Sequence, residues 1–201
     1  MRSIRVLITC GLLAALAGTP ALGDSTLRLR DLDGRELTPF QPARQAHVLF
    51  FVATDCPVSN SYAPEIQRVC HDYGDRGVSC TLVYEDVGMS SASTLDTEVR
   101  HHRAEYGYNG IPTMVDTSRA ISQRAHATIT PQAVVVDATG AIRYRGRIDN
   151  FYAALGKARQ QVTKHDVRDA LDAVLDGRPV TSPETEALGC FIVDPAIIRR
   201  K

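Results

Sequence analysis

Residues 47–66 set a sulfur where nucleophilic chemistry is expected. His47-Val48-Leu49-Phe50-Phe51-Val52 is a continuous apolar run, rich in β-branched and aromatic residues, and reads as a strand covered on both faces. Thr54-Asp55-Cys56-Pro57-Val58-Ser59 follows, and then a polar, helix-like segment. Pro57 suits the first helical position, where its missing N–H is not needed. Cys56 is therefore the predicted N-cap. A thiolate there meets the positive end of a helix dipole and unpaired backbone N–H groups, both of which lower its pKa. A buried structural cysteine is the alternative. Few such cysteines sit between a core strand and a Pro-started helix, so the reactive reading is preferred.

A nucleophilic cysteine needs a second thiol to turn over. Attack on a disulfide leaves a mixed disulfide, and attack on a peroxide leaves a sulfenic acid. Cys190, in an aperiodic tail that looks free to swing, is one candidate resolving residue; a tail anchor or an intermolecular contact is the other reading. Cys70 and Cys80 lie on a predicted helix face and early in the next strand. They form either a relay for Cys56 or a structural pair, and the structural reading is favoured. If bonded, their short loop stabilises by about 2–3 kcal/mol. The four cysteines after Cys10 allow three fully paired arrangements, and spacing alone does not choose.

The neighbours of Cys56 bear on its reactivity. A carboxylate at Asp55 opposes a low thiol pKa; pointing inward it could relay a proton, whereas facing solvent or capping the helix, the preferred reading, it does little. Thr54 and Ser59 are placed to hydrogen-bond a thiolate, although hydroxyls near a helix start more often satisfy backbone N–H groups. His101 and His102 are adjacent and point to different helix faces. With His126 and His165 scattered, no metal-ligand set is visible, and none is expected. Arg143, Arg145 and Arg147 form a basic stripe that reads as a solvated strand face.

The chain is long enough for one domain with a full core, at 201 residues. Residues 1–23 read as a signal peptide: Arg2 and Arg5, an apolar run from Val6 to Ala17, then Ala21-Leu22-Gly23 at a cleavage position. Cys10 falls too early, and follows the wrong residue, for a lipid anchor. Cleavage before Asp24 leaves no stable membrane span and sends the protein to the periplasm or the exterior, where disulfides persist. Losing Arg2 and Arg5 takes the basic count from 23 to 21 against 23 acidic residues. That near balance gives no reason to expect a nucleic-acid partner.

The rest of the chain alternates strands and helices. Thr26–Arg30 is a short strand before a turn, and Glu36–Ala46 a loop. A helix runs from Pro57 to about Tyr73, kinked at Pro64, and Val78–Tyr84 is the second long strand. Ser93-Thr94-Leu95-Asp96 resembles a capping box for a surface helix to Tyr106, with a thin stripe of Leu95, Val99, His102 and Tyr106. Pro112–Val115 and Ser118–Ala125 are a short strand and a short helix. Thr130-Pro131 introduces a buried strand over Ala133–Val136, which turns at Ala138-Thr139-Gly140 into an antiparallel partner over Ala141–Arg145. Phe151–Gln161 reads as a crossing loop. Thr163–Asp166 is a second capping box, opening a helix with Val167, Ala170, Leu171, Val174 and Leu175 on one face. The predicted organisation is a signal peptide (1–23), one domain (24–178) and a tail (179–201).

With the strand, Cys56-Pro57-Val58-Ser59, the kinked helix and the late Thr130-Pro131 in view, the chain resembles the thioredoxin fold. The likeness is to the redoxin branch (AhpC/TSA and TlpA-like) and covers roughly Leu27–Asp176. It implies an α/β fold: a three-layer α/β/α sandwich with a mixed central sheet. Cys56 matches the first cysteine of the Cys-x-x-Cys motif. Pro131 matches the cis-proline that packs beside it and presents backbone to a substrate. Thr54, Asp55, Pro57, Ser59, Thr130 and Pro131 then form the substrate-binding surround, and no cofactor is implied.

The departures are equally specific. Ser59 replaces the second motif cysteine. Asp55 replaces the usual Trp. Phe50 replaces the buried acid. The peroxidase pattern Pro-x-x-x-Thr-x-x-Cys fails at Leu49 and Ala53. A copper-delivery pattern fails at Asn60, where a second cysteine would stand. Three readings remain: thiol–disulfide exchange through Cys56 with exported thiol- or disulfide-bearing proteins, resolved by Cys190 or an external thiol; a one-cysteine peroxidase acting on peroxides; and a binding module that has lost the redox motif.

Overall fold

The computed structural model describes residues 29–41, 45–85 and 92–193. The predicted signal segment with Cys10, and parts of the first strand and of the loop near Ser90, lie outside these residues. In chain order the elements are β1 (Leu29–Arg30), β2 (Glu36–Leu37), β3 (Ala46–Val52), α1 (Pro57–Ser61), α2 (Ala63–Gly74), β4 (Val78–Tyr84), α3 (Ala92–Glu105), β5 (Thr113–Val115) and α4 (Ala120–Ala125). They continue with β6 (Ile129–Thr130), β7 (Gln132–Asp137), β8 (Ile142–Gly146), β9 (Tyr152–Ala154), β10 (Lys157–Ala158), α5 (Asp166–Leu175) and β11 (Cys190–Phe191).

The central sheet has the order β5-β4-β3-β7-β8, parallel across its first three strands and antiparallel at β7 and β8. This is the mixed sheet of a thioredoxin-like α/β fold. Side chains of a strand alternate between its faces, and β3 shows why it had to be apolar throughout. Val48, Phe50 and Val52 pack with Ile66, Val69 and Tyr73 of α2 and Val167 and Leu171 of α5. Leu49 and Phe51 enter a second cluster with Val83, Met114, Val134, Val136 and Ile121 and Ala125 of α4. Phe50 is fully buried. Each large side chain so placed contributes about 1.5–3 kcal/mol.

Several elements differ from the sequence reading. The helix after Cys56 is broken rather than kinked: α1 stops at Ser61, Tyr62 takes a flattened conformation, and α2 restarts with Pro64 near its N-terminus. A proline has no N–H and its ring clashes with the carbonyl four residues earlier, so the helix cannot run straight through. Glu36–Ala46 is not all loop, because β2 pairs with β1 as a hairpin and Ala46 begins β3. Phe151–Gln161 holds the β9–β10 hairpin, turning at Leu155-Gly156. At α5 the N-cap is His165, without a side-chain cap bond. Thr163 instead binds Asn150, its hydroxyl accepting from the Asn150 amide at 2.9 Å. The arginine stripe is ion-paired: Arg143 with Asp137, Arg145 with Glu184 and Arg147 with Asp166.

The tail is not free. Arg145 N–H donates to the Pro183 carbonyl at 2.9 Å, and Thr185 N–H returns a bond to Arg145 at 3.1 Å. Beyond that anchor, β11 pairs antiparallel with β6, placing Cys190 opposite Thr130 and Phe191 opposite Ile129. Ile192 N–H donates to the Thr128 carbonyl at 2.9 Å. The guanidinium of Arg119 then grips the Val193 carbonyl through Nε (3.2 Å) and Nη2 (3.1 Å). Among the described residues no helix is long and apolar enough to cross a membrane.

His47 gives the fold a pH dependence. Its ring is buried on β3 and meets the Thr81 hydroxyl of β4 at 2.8 Å. Burial pushes its pKa down to about 4 from 6.5. A depressed base pKa means that the folded state holds the neutral ring, so its stability is whole above pH 6.5 and is lost as pH falls toward 4. Urea unfolding across that interval is expected to cost the wild type about 3 kcal/mol more than His47→Gln. Parallel acid limbs for the two proteins would contradict this.

Candidate functional site

The site forms where β3 hands over to α1. Cys56 N–H closes the turn onto the Ala53 carbonyl at 3.4 Å. Cys56 is extended (φ −90°, ψ 107°), serves as the N-cap of α1 with Pro57 at the first helical position, and is fully buried. The β3–β7 register pairs Phe51 with Gln132. Pro131, one residue earlier, is thereby delivered to the end of β3. The Thr130–Pro131 peptide is cis, and the Cys56 thiol donates to the Thr130 carbonyl at 3.2 Å. The backbone before this proline and the sulfur are in direct contact.

A second sulfur faces the first. Burial alone would raise the Cys56 pKa. That effect is outweighed by the Cys190 thiol, the Ser59 N–H, the Ser59 hydroxyl and the Thr130 hydroxyl, so the net displacement is downward. Cys190 moves oppositely, pushed up to about 12 by burial, by the hydrogen bond it gives Cys56, and by repulsion from the Cys56 and Asp55 charges. The two displacements are opposed: Cys56 is the more readily ionised of the pair, and Cys190 the one that holds its proton. Ser59, at the place of the missing motif cysteine, is buried, and its hydroxyl has no other hydrogen-bond partner. It is free to serve the thiolate.

Other residues singled out in the sequence fall around this pair. Asp55 and Pro57 are exposed, and Thr54 is half-buried with its carbonyl accepting from the Asn60 amide at 3.1 Å. The swinging tail expected for Cys190 is corrected to a docked strand, because its backbone bonds to β6 hold the sulfur at the site. Cys70 and Cys80 form a disulfide with their Cα atoms 5.7 Å apart, joining α2 to β4. Those two sulfurs are therefore not available as a thiol relay. Among the described residues no His, Cys, Asp and Glu group has a metal-binding arrangement.

Two features escaped the sequence reading. Asn60 N–H bonds the Cys56 carbonyl at 3.0 Å, so Asn60 holds both ends of Thr54–Cys56. Its Oδ1 accepts from His102 Nε2 at 2.9 Å, and His102 Nδ1 meets the Tyr84 hydroxyl at 2.8 Å. A histidine on an otherwise apolar helical stripe was the available signal. The second feature is a cavity of about 500 Å³ beside Pro131, bounded by Tyr62, Asp149, Tyr152, Leu155 and Leu188. Asp149 is buried and receives the Tyr62 hydroxyl at 2.8 Å; burial raises its pKa. Asp149, on the loop after β8, is one of several buried acids among the described residues.

A mixed sheet, a cysteine opening the first helix and a proline loop against it define a thioredoxin-fold redoxin. The AhpC/TSA family profile matches residues 22–145, and the chain belongs to that family. No curated protein matches the sequence. Among solved structures, an uncharacterized conserved protein from Geobacillus kaustophilus is 26% identical with a TM-score of 0.71, covering 84% of this chain and 88% of its own. A hypothetical protein from Sinorhizobium meliloti 1021 is 25% identical with a TM-score of 0.69, covering 82% and 88%. A thiol:disulfide interchange protein of the thioredoxin family from Chlorobium tepidum TLS is 18% identical with a TM-score of 0.53, covering 74% and 92%, a likeness of fold alone.

The opposed displacements are measurable. With cysteine isotope-labelled and the NMR shift of Cβ followed against pH, the reduced protein is expected to titrate in two separated steps. Cys56 comes first, below the ordinary thiol value, and Cys190 second, toward about 12. Cys190→Ala removes the upper step and moves the lower one up; Ser59→Ala moves the lower one up with Cys190 intact. Overlapping steps at the ordinary value, unmoved by either change, would contradict the pairing.

Proposed function

We propose that this protein is an exported thiol–disulfide oxidoreductase in which Cys56 is the nucleophile and Cys190 the resolving thiol. The observation that carries it is the contact of Cys56 Sγ with the Thr130 carbonyl together with the strand pairing that sets Cys190 opposite Thr130 and its thiol on Cys56. The Cys56 thiolate attacks one sulfur of a substrate disulfide. A Cys56–substrate disulfide forms and the other substrate sulfur leaves as thiolate. Cys190, deprotonated, then attacks Cys56 Sγ, forming Cys56–Cys190 and releasing the first substrate sulfur as a second thiolate. Two electrons pass from the enzyme dithiol to the substrate, and an external dithiol restores the enzyme. The same steps reversed oxidise a substrate dithiol.

The causes of the Cys190 shift supply a sequence for these events. The Cys56 thiolate contributes to keeping Cys190 protonated. Once Cys56 is in a mixed disulfide it carries no charge and needs no donor, so those contributions vanish and Cys190 ionises more readily. The resolving thiol is thus held back until it has something to resolve. Peroxide fits less well, because Leu49 and Ala53 stand where a peroxidase pattern has Pro and Thr. Export is supported by the leader pattern of residues 1–23 and by a disulfide between Cys70 and Cys80. The partners read from this chemistry are exported proteins bearing thiols or disulfides.

Cys56→Ser is expected to reduce disulfide-reductase turnover, assayed with a dithiol donor, to the uncatalysed background. Cys190→Ser is expected to stall after the first attack, so that intact-mass spectrometry shows one substrate thiol bound at Cys56. Unchanged turnover in Cys56→Ser, or no trapped adduct in Cys190→Ser, would remove this assignment. Oxidation of Cys56 by hydrogen peroxide much faster than that of free cysteine would favour the peroxidase.

A further inference from the structure

The tail does more than carry a sulfur. Its last described residues lie as a strand along Thr128–Thr130, the edge that leads into the cis-proline. Gly189 is pressed so closely on that edge that a Cβ there would collide with the Thr130 carbonyl oxygen and crowd Pro131 Cδ at 3.1 Å. Leu188, just before it, lines the cavity beside Pro131. Phe191, just after Cys190, is 78% exposed, so the side chain following the cysteine needs no pocket. The anchor at Pro183–Thr185, bonded to β8, is separate from this strand. Released, residues 187–193 would remain tethered beside the edge they had left.

Resting on the proposed chemistry of Cys56, we propose that the Thr128–Thr130 edge is the docking strand for an extended polypeptide with glycine immediately before its cysteine, and that Gly189-Cys190-Phe191 is the chain's own competitor for that edge. The two cannot occupy it together, because each needs the same backbone groups of β6. A partner enters when the tail strand lifts. Its cysteine then lies where Cys190 lay and becomes joined to Cys56. Resolution requires the tail to return. As it re-pairs with Thr130 it strips the partner's backbone from the edge and brings Cys190 Sγ to Cys56 Sγ. The Cys56–Cys190 bond forms as the Cys56–partner bond breaks, and the partner leaves as thiolate. Resolution and product release are one strand exchange, and the disulfide-closed enzyme has no open edge.

The tail's local concentration weakens any competing peptide by the fraction of time the edge is free. The probe is a heptapeptide copy of residues 187–193 with serine for cysteine, Ala-Leu-Gly-Ser-Phe-Ile-Val, which binds without sulfur chemistry. Two full-length variants release the tail independently: Gly189→Ala by collision, and Ile192→Pro by deleting the donor to Thr128. By calorimetry on reduced proteins, both variants, checked as folded by circular dichroism, are expected to bind the probe about tenfold or more tighter than the wild type. The wild type closed by its disulfide is weaker still, and a probe with alanine for glycine binds none of them. Equal binding by wild type and variants, no binding by the folded variants, or indifference to the glycine would overturn the proposal. Because the probe carries no sulfur, failure of the exchange chemistry would show in the trapping assay and leave this comparison intact.

Discussion

The site depends on one register. β7 runs antiparallel to β3 with Gln132 opposite Phe51, so the two residues before β7 lie at the open end of β3, where Cys56 begins α1. A slip by one residue would turn every β7 side chain to the wrong face. Val134 and Val136 fill one core cluster and Ala133 and Val135 the other, so burial on both faces pins the pairing. Hydrophobic packing far from the sulfur thereby places the Thr130 carbonyl on it, and Asn60, tied to Tyr84 through His102, holds the loop from the other side.

Electrostatics then set two chemically identical groups apart. Cys56 receives donors from the first turn of α1, from Thr130 and from Cys190, and these overcome its burial. Cys190 receives none of that help and sits beside negative charge. The helix alone does not account for the low Cys56 pKa: α1 has only five residues, and its dipole is correspondingly limited. Specific donors, the Ser59 hydroxyl among them, carry more of it. The Ser59 hydroxyl stands at the place of the second motif cysteine, and on the proposed function its role passes to Cys190, a thiol from the far end of the chain.

Much of this was legible in the sequence because the signals are local. β3 declares itself by an unbroken apolar run, α1 by Pro57, β7 and β8 by valines and a Gly140 turn, and α5 by its spacing. The site residues next to Cys56 and Pro131 follow from those elements. The docking of the tail was not legible. A two-residue strand has no period, and what holds it is backbone pairing to Thr130 and Thr128, which any side chains permit. Gly189 is the residue whose identity the contact demands, and a single glycine in a proline-bearing tail reads as a turn. The break at Tyr62 and the cap at His165 were missed for a similar reason: backbone geometry and the competing Asn150 decided them, not the local motif.

The most direct measurement is disulfide mapping by mass spectrometry of the purified protein after equilibration with excess oxidised dithiol. Two linked peptide pairs are expected, Cys56 with Cys190 and Cys70 with Cys80. Cys56 joined to Cys70 or Cys80, or Cys56 and Cys190 both left as free thiols under those conditions, would contradict that pairing.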